Sequence, residues 1–158
     1  MIKATSIYGK PVCVSKEKVD LRVSAYGIIF YEGKLLLINI RSTSKWFFPG
    51  GGVEIGEKME ETIKREIREE TGIRVKVGKF LTFEETCFYY DPWDKAWQNY
   101  SFFYICKPLS FDLTEANQIE FDEAEKPQWV SLDALKESDF QFPANNIFKK
   151  IKKIYEKS

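Results

Sequence analysis

The residues best suited to chemistry are glutamates gathered on one short, helix-like stretch of the chain. Glu66, Glu69 and Glu70 lie within about 100° of arc when the stretch is wound at about 100° per residue. This arc overlaps the apolar side of the same stretch, so three carboxylates are expected where the helix packs on its neighbours. That apolar side consists of Met59, Ile63 and Ile67.

Crowding like charges at a packed seam costs free energy. An i,i+4 pair such as Glu66 and Glu70 is destabilised by roughly a few tenths of a kcal/mol when exposed, and by more when it is desolvated. A hard divalent cation with oxygen ligands would offset that cost. Because the chain has no histidine and no CxxC motif, Mg²⁺ fits better than zinc, and Mn²⁺ is a second option.

A glycine run, Pro49–Gly52, stands directly before the helical stretch. Backbone without Cβ atoms can approach a ligand closely, and amides near a helix N-terminus can meet phosphate oxygens. Arg65 could pair with Glu57 and fix the geometry of the loop. Two interpretations stay open at this point: a metal-and-phosphate site at a loop–helix junction, or a surface helix laced with ion pairs. The glycine run favours the first.

Composition narrows the class of protein. The chain has 158 residues, 44% of them hydrophobic, and equal numbers of acidic and basic residues. A neutral chain disfavours long nucleic acids as partners. The absence of histidine excludes Ser-His-Asp and Cys-His nucleophiles and any histidine general base. The sequence shows no signal peptide and no run of about 18 apolar residues, so a cytoplasmic protein without membrane association is expected.

The elements that must position the glutamates follow from hydrophobic periodicity. We predict a single α/β domain over residues 1–158 in which strands surround one central helix and a second helix ends the chain. The predicted parts are an N-terminal arm or edge strand (1–20), a β-hairpin turning at Glu32-Gly33, a helix from about Gly56 to Thr71, an aromatic-rich loop (88–97), and a C-terminal helix (143–157).

The segment Gly51–Ile73 resembles the Nudix box, G-x5-E-x7-R-E-U-x-E-E-x-G-U, where U is an aliphatic residue. Nine positions at fixed spacing make this a specific motif. The resemblance implies a Nudix-like α/β/α sandwich with a mixed β-sheet. The matching residues are Gly51, Glu57, Arg65, Glu66, Ile67, Glu69, Glu70, Gly72 and Ile73.

The resemblance also implies roles. Glu69 and Glu70 would be the main ligands of the activating metal, Glu66 a further ligand or helper base, and the Gly50 carbonyl another ligand; the three glutamates are thus the catalytic candidates of the box. The implied reaction is Mg²⁺-dependent hydrolysis of a diphosphate linkage in a nucleoside diphosphate derivative or nucleoside triphosphate, by attack of metal-activated water on phosphorus. The residues assigned to support of the site are Gly51, Glu57, Arg65 and Gly72.

Residues outside the box decide the general base and the substrate. Glu123 is the preferred base among four acidic candidates, which are Glu120, Asp122, Glu123 and Glu125. The aromatic loop could stack on a base or cap a sugar. The substrate-binding candidates are Arg41, Tyr89, Tyr90, Trp93 and Trp97. Two alternatives to a hydrolase of small nucleotides remain, namely a non-catalytic nucleotide sensor and an RNA 5′-end or cap hydrolase. The family resemblance also allows a homodimer.

Overall fold

The computed structural model describes residues 1–116 and 124–157, and within them a mixed β-sheet lies between two helices. The helices are α1 (Met59–Thr71) and α2 (Ala144–Glu156). The strands are β1 (Ile2–Ser6), β2 (Pro11–Val14), β3 (Val19–Tyr31), β4 (Lys34–Ile40), β5 (Lys45–Phe47), β6 (Gly50–Gly52), β7 (Val75–Tyr90), β8 (Lys95–Pro108) and β9 (Ala124–Ser131).

The sheet mixes parallel and antiparallel pairs. Its order is β2-β1-β7-β8-β3-β4-β5, with β6 paired to β3 and β9 paired to β4. The long strands β3 and β8 are parallel, whereas β7 and β8 are antiparallel. Strands β1 and β2 extend the sheet at its β7 edge.

The two faces of the sheet carry two separate cores. Because side chains alternate along a strand, neighbouring residues of β3 serve opposite layers. Ile28 packs in the core that contains Ile147 and Phe148 of α2. Ile29 packs in the core that contains Ile63 and Ile67 of α1. The prediction of an α/β/α sandwich with a mixed sheet is therefore confirmed.

The predicted hairpin between β3 and β4 is also present. Phe30 pairs with Leu35 and Tyr31 with Lys34, which leaves a two-residue turn. Both turn residues have positive φ, 48° at Glu32 and 75° at Gly33. Such a turn matches the twist of the strands that it joins.

The start of the motif helix differs from the prediction. Helix α1 ends at Thr71 with Gly72 in the left-handed conformation, as predicted, but it begins at Met59 rather than near Gly56. Lys58 is extended and Gly56 has a φ of 95°. These residues form a loop, and Glu57 folds back from it toward the helix.

The prediction of an aromatic loop over residues 88–97 is wrong. Strand β7 continues to Tyr90, a single turn covers Asp91–Asp94, and β8 begins at Lys95. Phe88 and Trp97 are cross-strand neighbours whose ring centroids lie 5.5 Å apart. Aromatic cross-strand pairs stabilise β structure. The strands therefore extend up to the Asp-Pro-Trp-Asp turn, and the residues on either side of it are not a loop.

Neither α1 nor α2 is long and apolar enough to cross a membrane, and the described residues form no other helix that is.

Candidate active site

The centre of the site is the junction where β6 meets α1. The three glycines of β6 pair with Ser24–Tyr26 of β3. The Gly50 amide donates a 2.7 Å hydrogen bond to Glu70 Oε1. Glu70 is only 3% exposed, so this bond holds a buried carboxylate against the strand. The loop and the helix are thereby joined through one of the predicted ligands.

Two of these glycines stand where an added Cβ would meet a neighbouring atom at less than 3 Å. Gly50 has a φ of 152°, and a Cβ there would lie 2.3 Å from the Ala25 carbonyl oxygen. A Cβ on Gly51 would lie 2.7 Å from both Cδ and Oε1 of Glu66. The missing side chains therefore let the carboxylates of α1 come within contact distance of the β6 backbone.

Arg65 ties the loop to the helix. Its Nε donates to Glu57 Oε2 at 2.7 Å, and its Nη2 donates to Glu57 Oε1 at 2.9 Å. Nη2 also donates to the Gly52 carbonyl at 3.3 Å. Nη1 donates to Glu66 at 3.0 Å and lies 3.5 Å from Glu69. One guanidinium thus orients the entry loop and two of the three predicted ligands.

The Glu57 carboxylate is held ionised by its donors. Hydrogen bonds from Arg65, then from the Glu54 amide and from Thr62, lower its pKa to about 2 from an ordinary 4.5. The Arg65 guanidinium in turn has its pKa raised, chiefly by the same bond to Glu57. Both groups are therefore charged at neutral pH, as expected for a fixed structural element.

The free energy of unfolding should decrease in acid as Glu57 becomes protonated. Because its folded pKa lies below its unfolded pKa, its contribution is complete above about pH 4.5 and is lost as pH falls toward about 2. Urea midpoints measured across this interval are expected to fall less steeply for Glu57→Gln than for the natural chain. The exposed Glu17, changed to glutamine, is the control and should leave the slope unaltered. Parallel slopes for all three chains would contradict the assignment.

The donor set suits a hard divalent cation. Glu57, Glu66 and Glu69 contact the Arg65 guanidinium, and Glu70 accepts a hydrogen bond from the Gly50 amide of β6. Several carboxylates are thus gathered where the backbone of β6 meets α1. Oxygen ligands of this kind are those that Mg²⁺ and Mn²⁺ prefer. Within residues 1–116 and 124–157, no three acidic or cysteine side chains are close enough together to enclose an ion by themselves. The metal ligands therefore remain predictions.

A cavity of about 230 Å³ opens beside this junction. Glu70, Gly50 and Gly51 form part of its wall, so the motif and the cavity are one continuous site. Most of the remaining wall is aromatic or aliphatic, as is usual for sites that bind small molecules. The aromatic lining consists of Tyr26, Phe47, Phe48, Phe88, Tyr90, Trp93, Trp97 and Phe142.

One side of the cavity carries a polar network. Arg22 Nε donates to Ser24 Oγ at 3.0 Å, and Ser24 Oγ donates to Asn99 Oδ1 at 3.1 Å. Asn99 Nδ2 donates to Ser101 at 2.8 Å, and Asn99 is 3% exposed. The Arg22 guanidinium carbon lies 5.9 Å from the centre of the Trp97 ring. These groups give the apolar cavity a fixed set of hydrogen-bonding positions.

The structure brings together only some of the predicted substrate residues. Tyr90, Trp93 and Trp97 line the cavity. Tyr89 does not; its hydroxyl donates to Asp94 at 2.7 Å. Arg41 is also absent from the lining and pairs with Glu125 at 3.1 Å.

Arg22 and Asn99 are two polar lining residues that the sequence did not single out. They are register partners in the parallel pair β3–β8. The available signal was the polar run Asn99 and Ser101 at positions that face a core, because buried polar residues in a strand call for partners.

The predicted general base stays undetermined. Glu123, together with Glu120 and Asp122, lies outside the described residues. Glu125, the fourth candidate, accepts the hydrogen bond from Arg41 Nε, and its side chain is 23% exposed. The choice of Glu123 remains a prediction.

Comparison with known proteins places these features in a family context. The family model described as NUDIX domain matches residues 20–151. The chain is 44% identical over 62 residues to an ADP-ribose pyrophosphatase of Methanocaldococcus jannaschii, covering 37% of each protein. It is 31% identical over 120 residues to nucleoside diphosphate-linked moiety X motif 6 of Xenopus laevis, covering 72% of this chain and 52% of the relative. The matched segments span only 23–38% of the lengths of three such curated relatives.

A similar fold is found among solved structures. A MutT NUDIX hydrolase from Burkholderia pseudomallei superposes with a TM-score of 0.65 at 24% identity, over 82% of this chain and 97% of that protein. At this identity the likeness establishes the fold.

Proposed function

Because this chain belongs to the NUDIX domain family, we propose that it is a Mg²⁺-dependent hydrolase that cleaves the diphosphate linkage of a nucleoside diphosphate derivative or a nucleoside triphosphate. One observation carries the proposal: buried Glu70 is at once bonded to the glycine strand and part of the wall of an aromatic cavity. A nucleoside in that cavity would have its phosphates beside the carboxylates of α1. The names of similar proteins, which include ADP-ribose pyrophosphatase and nucleoside triphosphatase, support the same substrate class.

Residues in different parts of the site would bind different parts of the substrate. Trp97 and Trp93 offer ring faces for a nucleobase, and bases stack well on such faces. Arg22, which lies near Trp97 in the same wall, offers a positive charge to the ligand. Arg65 keeps the Gly52 carbonyl and Glu66 in place and thereby positions the reacting end of the site.

The predicted metal ligands are Glu66, Glu69, Glu70 and the Gly50 carbonyl. A divalent ion bound there would neutralise diphosphate charge and lower the pKa of water. The chain's own contribution is to hold the carboxylates near one another, which Arg65 and the Gly50 amide do in part.

A substrate panel with Mg²⁺ tests the proposal. ADP-ribose, nucleotide sugars, dinucleoside polyphosphates, nucleoside triphosphates and a 5′-triphosphorylated oligonucleotide should be incubated with the protein, and released phosphate and nucleoside monophosphate measured. Turnover of at least one small nucleotide, abolished by EDTA, is expected. Tight binding of a nucleotide without turnover of any compound would instead indicate a sensor. Turnover of the oligonucleotide alone would indicate an RNA 5′-end hydrolase; one relative at 26% identity is named RNA pyrophosphohydrolase.

Trp93 offers a test of the stacking role. Its side chain is 61% exposed and forms part of the cavity wall, so Trp93→Ala should leave the fold intact. Loss of one stacking face is worth about 1–3 kcal/mol, so KM for the best substrate should rise roughly tenfold while kcat changes little. Trp93→Phe keeps an aromatic plane and should keep most of the affinity. A fall confined to kcat would show that Trp93 does not bind the base.

A further inference from the structure

The tip of the β7–β8 hairpin has two faces, and one of them forms part of the cavity wall. We use the name hairpin tip for residues 87–97. Phe88 and Trp97 are register partners, and both line the cavity. Tyr89 and Ala96 are the next register partners, so they lie on the reverse face, because side chains alternate along a strand. Ala96 is fully buried, so another part of the chain covers this reverse face.

The cover is the N-terminal arm, residues 2–18. Ala4 and Val14 of the arm form a small core with Ala96, and Tyr89 packs against it. Ala4 and Val14 are both buried. Among the described residues, this core shares no buried member with the cores of α1 and α2. The arm and the hairpin tip therefore pack on each other, and a change between them need not disturb the two main cores.

Backbone hydrogen bonds attach the arm to the hairpin tip. Strand β1 pairs in parallel with β7, with Ser6 opposite Tyr89. The Ile7 amide donates to the Tyr89 carbonyl at 3.1 Å. The buried Ile7 side chain shares the wall of a neighbouring cavity with Phe142, and Phe142 also lines the ligand cavity. The arm is thereby bonded to one part of the ligand cavity's wall and lies next to another.

The end of the arm reaches the turn that carries Trp93. Lys18 Nζ donates to Asp94 Oδ2 at 2.5 Å, and the Tyr89 hydroxyl donates to the other oxygen of the same carboxylate at 2.7 Å. Hydrogen bonds from Lys18 and then from Tyr89 hold the pKa of Asp94 below its ordinary value. Asp94 closes the turn with a φ of 45°. A charged residue of the arm therefore helps to fix the conformation of the turn.

The position of Trp93 depends on the hairpin tip and not on a main core. Its side chain is 61% exposed, and its ring contacts within the described residues are with Tyr90 at 5.0 Å and with Trp97 at 6.1 Å. A binding group that is already held in its bound position loses little conformational freedom when the ligand arrives, which favours affinity. A mobile hairpin tip would lose that advantage, so the contacts that hold it bear on binding.

We propose that the N-terminal arm sets the affinity for the nucleobase by holding the hairpin tip where Trp93 and Trp97 line the cavity. The proposal rests on the proposed function, because it takes a nucleoside as the ligand of the cavity. No residue of the arm, all of which the structure describes, lines the cavity itself, so Ala4 and Lys18 are positioning residues. The family match begins at residue 20, so the arm lies outside the part of the chain that the family model matches.

Ala4→Glu tests the proposal, because a charge placed in the small core should separate the arm from the hairpin tip. Amide hydrogen exchange should become faster at residues 88–97 and stay unchanged in α1. ADP, GDP, CDP and UDP are the binding probes, titrated calorimetrically in EDTA. The dissociation constant of the probe that binds best should rise roughly tenfold, the scale of one lost stacking face. Lys3→Glu, at an exposed position on the same strand, is the matched control and should keep the natural values.

A double-mutant cycle distinguishes positioning from a general loss of structure. In a Trp93→Ala background, Ala4→Glu should weaken binding less than it does in the natural chain, because one ring through which the arm acts is already gone. In steady-state kinetics, Ala4→Glu should raise KM for the best substrate and change kcat little.

Lys18 provides a second route if Ala4→Glu fails to fold, which circular dichroism would show. Lys18→Ala removes an exposed ion pair, so it should weaken binding of the same probe by roughly twofold to fivefold. Lys18→Arg keeps the charge and should restore the natural dissociation constant.

The outcomes separate this proposal from the proposed function. Unchanged hydrogen exchange at residues 88–97 in folded Ala4→Glu, faster exchange with unchanged dissociation constants, or a fully additive cycle would overturn the role of the arm. An unchanged dissociation constant in Lys18→Ala would do the same where Ala4→Glu does not fold. A natural chain that binds none of the four nucleotides and turns over no substrate would instead overturn the proposed function, and the role of the arm in base binding with it.

Discussion

Glu70→Gln is expected to lower turnover of the best substrate by at least roughly 100-fold, the scale seen when one preorganised polar group of an active site is removed. The amide keeps an oxygen that can accept the hydrogen bond from Gly50, so the junction of β6 and α1 should survive. The negative charge is lost, and with it the predicted affinity for a divalent ion. Steady-state kinetics over a range of Mg²⁺ concentrations would record the change.

The control for this result lies on the same helix. Glu61 is exposed on α1, away from the cavity, and Glu61→Gln should retain the natural rate. Thermal unfolding of both variants should match that of the natural chain to within a few degrees. An unchanged rate for Glu70→Gln in Mg²⁺ would remove Glu70 from the catalytic site and weaken the proposed function as a whole.

Gly50→Ala is expected to destabilise the fold itself, by roughly 2–5 kcal/mol, since it combines overpacking with backbone strain. The added Cβ would lie 2.3 Å from the Ala25 carbonyl oxygen and 2.6 Å from Tyr26 Cα, and neither backbone atom can move without disturbing β3. A φ of 152° is also strained for alanine. Urea unfolding would measure the loss.

Alanine substitutions at the next two glycines distinguish an effect on stability from an effect on activity. A Cβ on Gly51 meets only the end of the Glu66 side chain, so Gly51→Ala should keep its stability while activity falls with the displaced carboxylate. A Cβ on Gly52 would lie 3.4 Å from Arg22 Nε, an ordinary contact, and Gly52→Ala should change stability by less than about 1 kcal/mol. Equal stability losses at all three positions would show that the close approach at Gly50 is not what requires glycine.

The sequence predicted well wherever function is encoded locally. The spacing of the box residues can be read directly from the sequence. It predicts both the pairing of Glu57 with Arg65 and the end of α1 at Gly72. It does not predict the start of α1. The helix begins at Met59 because Gly56 has a positive φ and Lys58 is extended, and these backbone conformations do not follow from the spacing of the box.

The residues that line the cavity could not be predicted from local sequence. Arg22 and Asn99 are far apart in sequence, and only the parallel pairing of β3 with β8 makes them neighbours. The same pairing, together with the antiparallel β7, converts the supposed aromatic loop into a hairpin that brings Tyr90, Trp93 and Trp97 to the cavity and leaves Tyr89 outside it. Strand register is a long-range property, and a shift of one residue would reverse which rings face the site.

The sequence by itself determined the family, the carboxylate helix and the glycine run before it, because each depends on residue types at short, fixed separations. Tertiary structure alone decided which aromatic and polar side chains surround the cavity and which lie elsewhere. Those choices depend on contacts between strands that are remote in the chain, and the free energy of such contacts is set by packing rather than by local sequence.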